Sequence, residues 1–446
     1  MKTSPRAYSP TSLWLIGLCF VLSGATGLIY EVLWARMLGL VFGATTFAVS
    51  AVLAAFMGGL ALGSAWAGRL APRIRRPLRA YGFLEIGIAL YAVAVPILFR
   101  LIDHLYAFIW EQFHPGFYAF SLWRFLLSGL VLLVPTTLMG ATLPVLSAAL
   151  LRSPRKGTTA VTRLYTCNLV GAICGVVLAG FYLLPAQGVR LTIFTAAAIN
   201  LLVGLAAIVI DHKDERAPAA DKEAEQVEAE DEATEDEREA LGTARPGSQS
   251  PRFWLLCAVI SGFVTISTQV AWTRVLTMII GSSTYAFSIV VALFLLGLAV
   301  GAYLVGRKRQ QTADLRRSLM NIELATAAAL FLSIWITNGT PSFLVSLGLS
   351  LQINSWLGLI GLQVLAAAIL ILLPAILMGM VMPLVLVWAS GAGGDASVRL
   401  VGRSYAVNTL GAIAGAFSTG FILIPKVSTR FTILFAAGMC IVLAGL

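Results

Sequence analysis

Charged residues are scarce in this sequence: Asp, Glu, Lys and Arg make up 12% of it, about half the share of an ordinary soluble domain. With 59% hydrophobic residues and a mean hydropathy of +0.88, a water-soluble globular fold is excluded. Histidine and cysteine are scarce as well. The five cysteines, Cys19, Cys167, Cys174, Cys257 and Cys440, all fall within apolar runs, with no CxxC pair and no flanking histidine, so they read as packing residues. No metal, cofactor or nucleic-acid partner is expected. What is abundant is apolar sequence in runs of about 20 residues divided by short charged loops, the spacing of a helical bundle and not the alternation of an outer-membrane barrel. The chain reads as an all-α polytopic membrane protein whose first partner is the lipid bilayer. Its first run, starting near Leu13, lacks a small-residue cleavage site and is expected to be retained.

Acidic residues are concentrated in one place. Fourteen of the 21 lie between Asp211 and Glu239, opposed there only by Lys213, Arg216, Lys222 and Arg238, so this stretch carries −10 and the remainder of the chain +20. Low hydrophobicity with high net charge predicts a disordered linker over 211–250, joining membrane parts 1–210 and 251–446.

The two membrane parts repeat one another. Ser23-Gly24 recurs as Ser261-Gly262, Trp34 as Trp272, Arg36 as Arg274 and Glu85 as Glu323, each pair 238 positions apart. The separation then slips to 239 for "LMGATLP" at Leu138 and "LMGMVMP" at Leu377, and to 240 for "RLYTCNLVGAICG" at Arg163 and "RSYAVNTLGAIAG" at Arg403. Each part divides into six spans, among them roughly 80–101, 189–210, 318–338 and 429–446. About twelve transmembrane helices therefore form two parallel six-helix repeats, the major-facilitator-like relationship. Arg69, Arg73, Arg75, Arg76 and Arg79 follow span two, Arg152, Arg155 and Lys156 follow span four, and Arg307, Lys308, Arg309, Arg316 and Arg317 follow span eight. The positive-inside rule puts that face, both termini and the linker in the cytoplasm of a cell (inner) membrane. The last span stops at Leu446 without a polar flank, so a continuation or a truncation is expected there.

The stretch "SGATGLIYEVLWARMLGLVFGATTFAVSAVLAAFMGGLALGSAWAGRLA", with "LEIGIALYA", "PTTLMGATLPVL" and "RLYTCNLVGAICGVVLAGFYLLP", resembles the membrane part of the bacterial fused major facilitator/spermidine synthase family. The resemblance covers nearly all of the chain outside the linker. It implies a polyamine-related context and a cytoplasmic aminopropyltransferase-like domain as a partner. No strand with a Gly-rich turn follows the spans, so no catalytic residue carries over and whether the system is an enzyme stays open.

Three carboxylates lie in spans: Glu31, Glu85 and Glu323. A charge at such depth costs about 2.5–3.5 kcal/mol and requires a partner. Glu85 and Glu323 each stand six residues beyond a basic loop, which suggests structural charge locks with Arg163 and Arg403, or alternatively proton or cation sites. Glu31 differs, because its repeat partner is Gln269. With Tyr30, Trp34, Gln269, Trp272, Asn168 and Asn408 it makes up the candidate substrate-binding set: a carboxylate and aromatic faces suit a cation, while the asparagines equally suit interhelical hydrogen bonds. Pro135, Pro144, Pro374 and Pro383 are expected to bend spans four and ten. In Asp103–His114, the spacing of Glu111 and His114 suits a metal, but the second repeat has no counterpart, and an amphipathic surface helix is the better reading. The function classes that survive are a transporter-like protein handling a small organic cation, a polyamine being the candidate; a membrane anchor or substrate-delivery module for an aminopropyltransferase; and a structural assembly subunit.

Overall fold

The computed structural model describes residues 9–42, 45–114, 116–150, 157–215, 251–280, 283–307, 315–390 and 394–446. Twelve helices dominate them. The first six are α1 (Pro10–Phe42), α2 (Thr45–Leu70), α3 (Pro77–Phe113), α4 (Phe117–Leu150), α5 (Gly157–Leu178) and α6 (Leu184–Glu215). The second six are α7 (Pro251–Ile280), α8 (Ser283–Arg307), α9 (Leu315–Ser350), α10 (Trp356–Ser390), α11 (Gly394–Ser418) and α12 (Thr429–Gly445). Long apolar segments adopt helix in lipid because only intrahelical bonds satisfy every backbone N–H and C=O there.

Ten of the described segments are long and apolar enough to cross a bilayer. The difference from twelve has a structural cause. One π-helical turn, Ala179–Leu183, carries α5 directly into α6, and only Gly188, at φ 70°, interrupts the combined run Thr166–Lys213. The final helix, α12, is 17 residues long. The outer parts of α3 and α9 exceed the spans read from sequence: Asp103–Phe113 continues α3 as an unbroken helix, and His114 closes it in the left-handed region at φ 41°. Pro135 and Pro144 lie inside α4, and Pro374 and Pro383 inside α10. At the other boundary α6 runs to Glu215, five residues into the stretch read as linker, while 216–250 lies outside the described residues.

Within the first half α1 packs on α5, α2 on α4 and α3 on α6; within the second α7 packs on α11, α8 on α10 and α9 on α12. The sequence repeat is thus a structural repeat. Small residues make the closest pairings possible. A Cβ at Gly171 would overlap the Val21 carbonyl, and one at Gly411, 240 positions on, would overlap that of Val259. Such backbone contact supplies the van der Waals energy that replaces the hydrophobic effect in lipid.

Two equivalent seams join the halves, α2 against α11 and α5 against α8. Each passes through a π-helical turn, Thr419–Leu423 in one and Ala179–Leu183 in the other. A Cβ at Gly420 would overlap Ser50 of α2, and one at Gly180 would overlap Ser288 of α8. Aromatic pairs flank both contacts: Phe47–Phe421 at 5.2 Å between ring centroids and Phe181–Tyr285 at 5.5 Å. Arg36 of α1 adds a bond across the halves, donating to Thr284 Oγ1 of α8 at 3.2 Å. These contacts all lie at the end of the bundle opposite the basic loops.

Candidate functional site

Glu31 lies 21 residues into α1, about 31 Å along the helix from its start and about 16 Å from its end. It is 4% exposed. Among the described residues no hydrogen bond or ion pair reaches its carboxylate. Its neighbours on α1, Tyr30 and Trp34, belong to an apolar core that also holds Ile266 and Val270 of α7, Val291 of α8 and Ala412 and Ala416 of α11. That core crosses between the halves. Gln269, itself buried, lies between Ile266 and Val270 on α7, so both positions related by the repeat are flanked by residues of that core.

The aromatic residues of the candidate set are engaged with protein. Tyr30 and Trp34 stack on each other at 5.5 Å and 12°, and Trp34 packs on Phe56. Trp272 packs on Phe294 in the same way. None of the three exposes a ring face, so none offers a cation surface in this closed arrangement. Both indole N–H groups, Trp34 Nε1 and Trp272 Nε1, are buried without an acceptor among the described residues. Asn408 Nδ2 donates to the Ala258 carbonyl of α7 at 2.9 Å, an interhelical bond. Asn168 stands against Gly24 of α1 as Asn408 does against Gly262 of α7.

Glu85 is fully buried and is held by neutral donors. Ser23 Oγ of α1 donates to its Oε1 at 2.6 Å, and Asn200 Nδ2 of α6 donates to its Oε2 at 2.5 Å. Tyr30 OH in turn donates to Asn200 Oδ1 at 3.0 Å. This network ties α1, α3 and α6 together inside the first half. The polar partners of Glu85 among the described residues are neutral. The Arg163 side chain lies outside the described residues. In the second half Glu323 is 2% exposed while Arg403 is exposed, so these two form no lock. The physical reason is direction: arginines near a helix end extend toward water, whereas these carboxylates face the interior of their own half. Instead of a Glu323 partner among the described residues, its Oε1 has none, and the Cys440 thiol of α12 lies beside it. An ion pair that does form is Arg79–Asp211, at 3.6 Å between α3 and α6, with Asp211 buried.

Two residues of this arrangement escaped the sequence reading. Asn200 was legible as a lone amide in the apolar run "TAAAINLLVGLAAIVI". Asp211 was not, because its neighbours assign it to the acidic linker and only the length of α6 brings it inside.

No protein-family model matches the chain, and no curated protein matches it. Solved structures do. It is similar to the POT family transporter PepTSo, with 13% identity, a TM-score of 0.57 and coverage of 98% of this chain and 97% of that one. It is similar to the xylose transporter XylE from E. coli in a partially occluded inward-open conformation, with 13% identity, a TM-score of 0.54 and 97% of both chains covered. A structure of a bacterial metal transporter aligns with 13% identity and a TM-score of 0.53 over 99% of this chain and 98% of that one. At such identities the likeness is one of fold. It shows a major-facilitator-like fold, and ten of the described segments are long and apolar enough for it to be polytopic in a membrane.

Proposed function

We propose that this protein is a transporter that moves a small organic cation, with a polyamine as the candidate substrate, and that Glu31 pairs with the cation. The observation that carries this reading is a carboxylate 4% exposed, without a bonded partner among the described residues, flanked on α1 by residues of a core that both halves share, at a position where the repeat has Gln269 instead. An intramembrane carboxylate marks an ion or substrate pathway when the protein leaves it unpaired. Alternating access through rocking of two repeats about a central site supplies the route, because the halves must part before a ligand reaches Glu31. On this reading the termini and the acidic linker face the cytoplasm of the inner membrane. Single cysteines introduced as Ala229→Cys and Gly116→Cys should then label from opposite sides, and labelling of both from outside overturns that orientation.

Reconstitution into proteoliposomes with labelled spermidine tests the function. Uptake is expected for the wild type and is expected to fall to background in Glu31→Gln at unchanged melting temperature; Gln269→Glu should alter the apparent affinity. Full uptake by a folded Glu31→Gln protein sinks the role of Glu31. Wild-type protein without uptake, but stabilised by a separate aminopropyltransferase-like domain, would favour the anchor reading.

A further inference from the structure

A cavity of about 1000 Å³ opens at the end of the first half opposite the basic loops, walled by α1, α3, α4 and α6. Three arginines from three helices line it, Arg100 of α3, Arg124 of α4 and Arg190 of α6, against one acid, Asp103 of α3. Among the described residues none of the four forms an ion pair. Arg124 is fixed in place: its guanidinium carbon lies 4.3 Å from the Phe120 ring centroid and 5.7 Å from that of Tyr106, and Tyr106 OH donates to the Arg124 carbonyl at 3.0 Å. Its Nε is buried with no acceptor among the described residues. The remaining wall is largely apolar, with Leu40, Pro96, Phe99 and Val189 beside the charges.

The depth is that of a lipid headgroup. Arg100 and Asp103 stand 23 and 26 residues into α3, about 35 to 39 Å along it, past a hydrocarbon core of about 30 Å. Trp123, exposed and next to Arg124 on α4, marks that level. The second half keeps only the counterpart of Arg190, Arg430, and between Glu323 and Asp395 it has no charged residue at all. Arg100, Asp103 and Arg124 are therefore no requirement of the repeated fold. A net positive cluster beside an apolar wall, with a guanidinium braced by aromatics and lacking an acceptor, is matched by a phosphate on an acyl chain, since guanidinium groups bond phosphate oxygens bidentately.

We infer that this cavity binds the phosphate headgroup of an anionic lipid, with the acyl chains along Leu40, Phe99 and Val189. The test uses purified full-length protein in detergent with phosphatidylglycerol, phosphatidylcholine or inorganic phosphate, read by native mass spectrometry and thermal unfolding. Phosphatidylglycerol should be retained and should raise the melting temperature, whereas phosphatidylcholine and inorganic phosphate should do neither. Arg124→Gln combined with Arg190→Gln should weaken retention about tenfold, the loss of one charge-assisted bond. Arg100→Gln with Arg190→Gln, both exposed side chains, gives the same readout should the first pair fail to fold. Arg430→Gln, in the second half, should change nothing. Equal retention of the two lipids, undiminished retention in both double variants, or equal stabilisation by inorganic phosphate overturns the lipid assignment.

Discussion

The two halves bury a carboxylate at the same place and surround it differently. In the first, Glu85 accepts from Ser23 and Asn200, and Tyr30 anchors Asn200. In the second, the equivalent positions hold Ser261, Cys440 and Thr268 around Glu323. Thr268 donates to the Val264 carbonyl of its own helix, and Glu323 Oε1 is left without a partner among the described residues. The repeat thus preserves the acid and the helix packing, while the polar filling belongs to each half alone.

Removing a donor should break the comparison most visibly. Asn200→Ala leaves Glu85 buried with one bond fewer and frees Tyr30, and it should destabilise the protein by about 3 kcal/mol. Thermal or denaturant unfolding in detergent checks this; a loss no larger than that of a surface alanine would show that Glu85 does not depend on the amide. Exchanging the weak thiol donor beside Glu323 for an amide should sharpen the contrast in the opposite direction. Cys440→Asn is expected to stabilise by about 1 kcal/mol, and destabilisation would show that the amide does not fit beside Glu323. The smallest effect is expected at the rim, where Arg79 is partly exposed: Arg79→Gln should cost less than about 1 kcal/mol. A cost comparable to that of Asn200→Ala would make the Arg79–Asp211 pair the main tie between α3 and α6.

The fold was largely legible because equivalent slots in a repeated bundle impose equivalent residues. Trp34 and Trp272, and the glycines at Gly171 and Gly411, recur since each meets the same neighbour in its own half. The site was less legible. Counting residues from a basic loop gives the depth of Glu85, but the direction in which it points depends on which helix lies beside it, and the pairing of α3 with α1 and α6 is a tertiary fact. The same limit applied to Tyr30 and Trp34. Four residues apart on α1, they were open to a reading as cation surfaces, and in the folded chain they stack on one another. Glu31 stood out by its broken symmetry alone, and no neighbouring residue in sequence indicates that it lacks a partner.

The glycine and serine seams also bear on how easily the bundle opens. Closing them buries the hydroxyls of Ser50, Ser288 and Thr419, and none of the three has an acceptor among the described residues. Each buried hydroxyl without a bond costs about 1–3 kcal/mol, which water refunds as soon as the seam parts. Parting the seams would hydrate three side chains and so lower the cost of opening, while the aromatic pairs Phe47–Phe421 and Phe181–Tyr285 and the Arg36–Thr284 bond oppose it.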